Sequence, residues 1–64
     1  MEKELITIFA IAESPENAVI KFMNICNERY NQRNLKFVDG YKVIQKENVV
    51  WVCVALAMVD KAFN

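Results

Sequence analysis

The sequence predicts a small α+β fold with the element order β-α-β-β, and three observations carry this prediction. Residues 49–59 are eleven consecutive apolar residues in a chain of 64, a pattern typical of a strand that is buried on both faces. Residues 5–12, LITIFAIA, are mostly β-branched or aromatic, as expected of a first strand. Between these segments, apolar residues recur at the three- and four-residue steps of a helix.

The helix is predicted to begin directly after the first strand, which ends at Glu13. The Ser14 hydroxyl can accept a hydrogen bond from a free backbone N–H, Pro15 suits the first turn, and Glu16 favours the positive end of the helix dipole. The helix is then expected to run from Pro15 to about Asn31. Its apolar stripe comprises Ala18, Val19, Phe22, Met23, Cys26 and Tyr30.

Two apolar residues do not belong to this stripe. Ile20 lies outside it and Ile25 at its edge, which indicates a second contact surface on the helix. Residues 31–34, NQRN, are predicted to close the helix, because asparagine tolerates left-handed backbone geometry.

Residues 35–45 are predicted to form the second strand. This segment is less apolar than the others, and its residues Lys36, Asp39, Gly40 and Lys42 suit a strand at the edge of a sheet. Gly40 indicates a bulge or a close approach of another segment. Residues 46–48 are predicted to form a hairpin turn into the third strand, residues 49–59, and a short tail covers residues 60–64.

The predicted connections define a sheet order. A right-handed crossover makes the first two strands parallel to each other, and the hairpin makes the third strand antiparallel to the second. With the third strand between the other two, the sheet is three-stranded and antiparallel with the order 1-3-2, and one helix covers one face. The chain is thus predicted to be a single β-α-β-β domain, residues 1–64, whose second sheet face is covered by another copy.

Self-association is also expected from the size of the chain. A core this small supplies roughly 3–5 kcal/mol, so such domains usually need disulfides, a metal or oligomerisation. The sequence has no histidine, and its two cysteines, Cys26 and Cys53, are too far apart for a zinc-ligand pair. Because no secretory signal pattern opens the chain, we expect a cytoplasmic location with free thiols, and a homo-oligomer without metal or cofactor.

Charge and composition argue against several classes of function. Eight basic and eight acidic residues cancel, which removes the long-range field that holds proteins on DNA or acidic membranes. Eleven apolar residues are too few for a membrane-spanning helix, which needs about 20. Without histidine the commonest general base is missing, and Ser14 is better explained as a helix cap than as a nucleophile. We therefore predict no enzymatic activity, no DNA binding and no membrane insertion.

A ligand-binding function is predicted for a group of basic and aromatic residues at the helix C-terminal end, on the second strand and at the start of the third. Arginine provides planar donors for phosphate, and aromatic rings stack on bases. The candidate ligand-binding residues are Arg29, Tyr30, Arg33, Tyr41, Lys42 and Trp51. The structural alternative is that the aromatic residues are core or interface anchors and the arginines are solvated helix-end charges.

Three groups of small oligomeric proteins resemble this chain. The β-α-β-β order, the length and the helix start Ser14-Pro15-Glu16 resemble the dodecins, which are flavin-storing oligomers. The segment Asp39-Gly40-Tyr41-Lys42-Val43, followed by a hydrophobic strand, is similar to small sporulation-associated proteins of Gram-positive bacteria. The dimensions are also similar to those of phage-encoded nucleotide sponges of the anti-CBASS type, small tetramers that sequester cyclic dinucleotides.

These patterns favour a non-enzymatic oligomeric protein that sequesters a nucleotide-like ligand between protomers. Its most specific form is a phage sponge for cyclic-dinucleotide immune signals in the host cytosol, where a local arginine–lysine pair neutralises two phosphates. The competing interpretation is a ligand-free protein-interaction or inhibitor module, or a sporulation-associated structural protein. In that case the second sheet face, Ile20 and Ile25 contact a different protein.

Overall fold

A computed structural model describes residues 2–61 and places one helix and four strands in them. The elements are β1 (Lys3–Ala12), α1 (Pro15–Arg29), β2 (Lys36–Phe37), β3 (Lys42–Glu47) and β4 (Val50–Asp60). The fold is α+β, as predicted. Residues 62–64 of the predicted tail lie outside the described residues, and Asp60 is the last residue of β4 rather than the first of a tail.

The four strands form one open antiparallel sheet in which β4 is central. On one side β4 pairs with β1 over ten residues, from Lys3 opposite Asp60 to Ala12 opposite Trp51. On the other side it pairs with two shorter strands, β2 near its C-terminal end and β3 near its N-terminal end. The most apolar segment of the chain therefore occupies the middle of the sheet.

The number of strands differs from the prediction, because the predicted second strand, residues 35–45, is divided into β2 and β3. Lys36 lies opposite Met58 and Lys42 opposite Val54. The chain therefore advances six residues from β2 to β3 while β4 advances only four. The two additional residues loop out of the sheet, where Gly40 adopts a φ of 66°. The order 1-3-2 is replaced by β1-β4-β2 with β3 also on β4.

The role of Gly40 follows from its backbone rather than from crowding. A Cβ added at this position would meet no atom within 4 Å, so no close approach requires glycine here. Its positive φ lies in the left-handed region that other residues enter only at a cost. Gly40 lies in the connection between β2 and β3 rather than within a strand, and the register shift within β3 falls between Gln45 and Glu47. The hairpin turn also shifts slightly, because β3 runs to Glu47 and β4 begins at Val50.

Both ends of the helix have local causes that the sequence indicates. The Ser14 Oγ accepts a hydrogen bond from the backbone N–H of Asn17 at 3.2 Å, which confirms the predicted cap. The helix ends at Arg29, two residues before the predicted boundary. Beyond it, Gln32 and Asn34 have φ values of 66° and 52°, and these left-handed residues turn the chain back toward the sheet.

The hydrophobic core lies between α1 and one face of the sheet. Its buried residues alternate along β1 and β4 and recur at four-residue steps on the helix. Three small residues of β4, Cys53, Ala55 and Ala57, allow the helix to approach, and the Phe22 ring fills the space above them with 0% of its surface exposed. The core comprises Ile8, Ala10, Ala12, Ala18, Phe22, Cys26, Cys53, Ala55 and Ala57.

The predicted apolar stripe of the helix is only partly buried. Val19 and Tyr30 pack at the margin of the core, whereas Met23 is 38% exposed. Ile20 is 56% exposed, as expected of a residue off the stripe, and Ile25 packs partly against the core. Cys26 and Cys53 are both buried free thiols.

Candidate functional site

The side of the sheet opposite α1 is mainly apolar, and we call it the open face. In β1 and β4 the residues that alternate with the buried core point to this side, and they pair across the two strands. Its apolar residues are Leu5, Thr7 (by its methyl group), Phe9, Ile11, Ile44, Val52, Val54, Leu56 and Met58.

Large side chains on the open face are strongly exposed. Leu5, Phe9, Ile11, Ile44 and Leu56 expose between 47% and 60% of their surface. They lie side by side across β1, β4 and β3, and the largest exposed apolar patch of a monomer is often functional. The open face is therefore a candidate interaction surface.

Three lysines border the open face along β2 and β3, and we call them the lysine border. Lys36 lies opposite Met58 and Lys42 opposite Val54, while Lys46 shares a surface groove with Phe9 and Ile44. Within residues 2–61 none of the three forms a salt bridge; the ion pairs there involve Lys3, Arg33 and Lys61. The border thus adds unneutralised positive charge to one side of an apolar surface.

Two shallow grooves lie on the open face. One, of about 220 Å³, occupies the break between β2 and β3 and is lined by Val38, Asp39, Gly40, Lys42, Val54, Ala55 and Leu56. The other, of about 390 Å³, runs between β1 and β3 across β4. Both grooves have mainly apolar walls, so they fit a flat apolar surface better than a highly polar ligand.

The candidate residues at the end of the helix are close together, but the Arg33 guanidinium already contacts other residues of the same chain. Its guanidinium lies over the Tyr30 ring, 5.3 Å from the centroid. The Nε atom donates to the backbone oxygen of Asp60 at 2.9 Å, and Nη2 pairs with Glu4 Oε1 at 3.0 Å. Arg33 therefore ties the loop after α1 to the ends of β1 and β4, which the sequence did not indicate.

Asp60 is the second member of this connection. One carboxylate oxygen contacts the Lys3 ammonium, and the other accepts from Asn34 Nδ2 at 2.6 Å. The hydrogen bond from Lys3, followed by that from Asn34, lowers the pKa of Asp60 below its usual value. The backbone N–H of Asp60 also donates to the Arg33 carbonyl oxygen at 2.8 Å, so the cluster is internally paired.

The other candidate residues lie elsewhere. Tyr41 lies on the helix side of the sheet, with its ring 5.5 Å from that of Phe22. Lys42 belongs to the lysine border on the opposite side. Trp51 packs at the margin of the core near the start of β4, opposite Ala12. Arg29 is exposed beside Tyr30 and lines a groove that continues along β1.

The six candidate residues therefore do not form one site within a protomer. Arg33 contacts Asp60 at one end of β4 and Trp51 lies at the other, nine residues away, which is about 30 Å along a strand. Antiparallel pairing places Trp51 beside Ala12 and away from the helix C-terminus. Arg29, Tyr30 and Arg33 are neighbours at the end of the helix, whereas the adjacent Tyr41 and Lys42 lie on opposite faces of the sheet.

The sequence contained a signal for the open face that the prediction did not use. In β4 the small residues Cys53, Ala55 and Ala57 alternate with the larger Val54, Leu56 and Met58. Small residues at alternate positions mark the face on which a helix lies, so the larger set marks the other face. The lysine border also shares one parity, but which face that parity occupies depends on the register with β4, which the sequence alone does not give.

The remaining features of the described chain offer little reactive chemistry. Burial raises the pKa of both thiols, Cys26 and Cys53, so they are protonated at neutral pH. Among residues 2–61, no group of three or more histidine, cysteine, aspartate or glutamate side chains could hold a metal ion. In the same residues no helix has the length and apolar character required to cross a membrane.

Comparisons with protein-family models, with curated protein sequences and with solved structures gave no match for this chain. The functional argument therefore depends on the geometry of the open face.

Proposed function

We propose that the protein is a non-enzymatic binding protein that acts as a homo-oligomer, in which the open face of one copy packs on the open face of a second. The observation that carries this proposal is the contiguous set of half-exposed large apolar side chains opposite α1. Two antiparallel sheets that pack face to face interdigitate such side chains about 10 Å apart.

The free energy available from this contact is substantial for so small a protein. Removing the exposed half of a large apolar side chain from water is worth roughly 1 kcal/mol. Five such side chains on each copy supply on the order of several kcal/mol, comparable with the roughly 3–5 kcal/mol of a core this small. A standard interface buries about 800 Å² on each partner, about one sixth of the 4767 Å² surface of the protomer.

The lysine border supports one relative orientation of the two copies. A two-fold axis parallel to the strands places the β2–β3 side of one sheet over the β1 side of the other. Lys42 of each copy then lies at the rim, away from Lys42 of the other copy, where its ammonium keeps contact with water. An axis perpendicular to the strands would instead superimpose the two lysine borders, which like-charge repulsion disfavours.

Sedimentation of two matched variants tests this proposal. Leu56→Glu places a carboxylate on the open face, and Ile20→Glu makes the same change at a similarly exposed position of α1. At micromolar concentration we expect the wild-type chain to be an oligomer, Leu56→Glu to lower its mass at least twofold, and Ile20→Glu to leave it unchanged. A folded wild-type monomer would contradict the proposal, and so would an oligomer that contains a different polypeptide.

A second candidate function is sequestration of an anionic, nucleotide-like ligand, in its most specific form a cyclic dinucleotide held by a phage sponge. The observation that favours it is the lysine border, which forms no salt bridge within residues 2–61 and adjoins the groove that Gly40, Lys42 and also Asp39 line. Lysine ammonium groups bind phosphate as point charges, and the apolar floor of the groove can contact a base. Lys42 is the one predicted ligand-binding residue that lies there.

Calorimetric titration with cyclic dinucleotides, flavin and nucleoside monophosphates tests the second candidate. A charge-assisted contact is worth roughly 1.5–3 kcal/mol, so Lys42→Ala should weaken binding at least tenfold. Lys61→Ala is the control, because Lys61 pairs with Glu2 at the far end of the sheet. If none of these compounds binds at millimolar concentration, nucleotide sequestration is excluded and self-association remains.

A further inference from the structure

We infer that a second, separate surface also binds another copy of this chain: the free edge of β1 together with the adjacent flank of α1. In this arrangement β1 pairs with β1 of the second copy across a two-fold axis. The two sheets become one continuous sheet, and the two α1 helices lie side by side on the same face. This surface adjoins the open face, with which it shares Phe9 and Ile11, but the proposed strand pairing does not require the open face to be covered.

One long edge of β1 is not paired with another strand of the described chain. Within residues 2–61, β1 pairs with β4 on one side only, although it is ten residues long. The carbonyl oxygen of Ile11 accepts from Lys21 Nζ at 3.3 Å, so it faces the free edge. Because backbone groups alternate in direction along a strand, the N–H and C=O groups of Thr7 and Phe9 face the same edge.

The edge also lacks most devices that prevent strand addition. Such edges usually carry a proline, a bulge or several charges. Between Leu5 and Ala12 β1 has no proline and no charged residue, and its register with β4 has no shift. The Lys21 contact is the one protection, and it is a long hydrogen bond at an exposed position. A neutral edge of this length is a template for another strand.

The second argument is the shape beside the edge. A groove of about 440 Å³ lies between β1 and α1, lined on the helix by Lys21, Asn24, Ile25 and Glu28. It continues toward the helix C-terminus along Thr7 and Phe9. The groove therefore follows the free edge over several residues, and the same helix flank would face the second copy.

The third argument is charge complementarity under the same two-fold axis. Lys21 and Glu28 are equally distant along the helix from the midpoint between Asn24 and Ile25. A two-fold axis through that midpoint runs the helices antiparallel and brings Lys21 of one copy beside Glu28 of the other. Two oppositely charged pairs form at once, with Ile25 between them. A parallel arrangement would oppose like charges instead.

The expected spacings allow the two β1 strands to pair and the two α1 helices to pack across the same two-fold axis. Paired strands lie about 4.8 Å apart, so each β1 would be about 2.4 Å from the axis and each β4 about 7 Å. Because α1 packs on both β1 and β4, its axis lies near 5 Å from the two-fold. The two helices would then be about 10 Å apart, at the upper end of the usual 8–10 Å for packed helices.

Sedimentation of the Leu56→Glu protein tests this inference, because its open faces should no longer pack on each other. That protein should be a dimer held by the β1 edge alone. Lys21→Glu or Glu28→Lys should each weaken the dimer about tenfold, since each opposes like charges in two places. The double variant should restore affinity to within about threefold of the background. Asn27→Lys, on the exposed side of α1, is the control and should change nothing.

The outcomes separate this inference from the proposed function. A folded Leu56→Glu monomer obtained from a wild-type dimer would overturn the β1-edge contact and leave the open-face contact standing. A wild-type dimer that is insensitive to Leu56→Glu but sensitive to Lys21→Glu would overturn the open-face contact and leave the β1-edge contact standing.

A second measurement avoids the Leu56→Glu background. Asn24→Cys in the otherwise wild-type chain places two thiols across the axis, within reach of a disulfide whose Cα atoms are usually about 5.5–6 Å apart. Mild oxidation should convert it to a covalent dimer, whereas Asn27→Cys should stay monomeric on a denaturing gel. Equal cross-linking of both variants would contradict the β1-edge contact. The native thiols are buried and do not compete.

Discussion

The two faces of the sheet are both apolar but are built from residues of different size. On the helix side β4 presents Cys53, Ala55 and Ala57, each at most 5% exposed. On the open face the alternating residues of β4 are larger, and Leu56 is 50% exposed. Small residues let a helix lie close to the sheet, while larger side chains extend away from it. The difference indicates that the first face is filled within the protomer and the second requires another surface.

The largest expected effect distinguishes two phenylalanines on opposite faces. Phe22→Ala removes a fully buried ring and should cost about 3–5 kcal/mol, enough to unfold a domain of this size. Phe9→Ala removes a ring that is 56% exposed, so it should leave the protomer folded and lower the mass of the assembly. Circular dichroism melts and sedimentation measure the two effects. Equal destabilisation of the protomer by both changes would contradict the distinction between the faces.

The next largest effect concerns Arg33, which the sequence predicted to bind a ligand. Its hydrogen bonds to Asp60 and Glu4 and its contact with Tyr30 give it a structural role. Arg33→Ala should therefore destabilise the protein by about 1.5–3 kcal/mol. Arg29→Ala, at the exposed end of the helix, is the matched control and should change stability by less than about 0.5 kcal/mol. An Arg33→Ala protein with the thermal stability of the wild type would contradict a structural role for Arg33.

A smaller effect is expected at the helix cap. Ser14→Ala removes the acceptor of the Asn17 N–H and should cost about 1 kcal/mol, without changing the oligomeric state. Ser14→Asp should retain most of the stability, because aspartate is also a good N-cap. Chemical denaturation of the three proteins decides this. Loss of assembly or of ligand binding in a stable Ser14→Ala protein would indicate a direct role for the hydroxyl.

The pH dependence tests the paired end of the sheet. The lowered pKa of Asp60 means that its ionised form is favoured in the folded state. Its contribution to stability is present above its ordinary value of 3.8 and is lost as the pH falls through the lowered folded value. Asp60→Asn should be less stable than wild type at pH 7, and the difference should shrink toward acid. A pH-independent difference would contradict the ion pair with Lys3.

Much of the fold could be predicted because its signals are local. Ser14 caps the helix, Pro15 begins it, and the continuous apolar run is the central strand, all of which depend on neighbouring residues. The break between β2 and β3 was not predictable, since the presence of Gly40 does not determine how many residues of this segment pair with β4. That count depends on the register, which is a long-range property.

The candidate site was harder to predict for the same reason. Arg33 and Trp51 were grouped by residue type, but their positions depend on strand pairing, which separates them by most of the sheet. Arginine has the same sequence signature whether it meets a phosphate or, as here, the carboxylate of Glu4. Only the geometry shows which of these partners is present.

Whether a second copy covers the open face is measured by sedimentation of the wild-type chain. Over roughly 1–100 μM we expect an oligomer whose melting temperature rises with protein concentration, because dissociation is coupled to unfolding. It also predicts that Leu56→Glu lowers the mass while Ile20→Glu does not. A wild-type monomer across this range, with a cooperative melt independent of concentration, would contradict it.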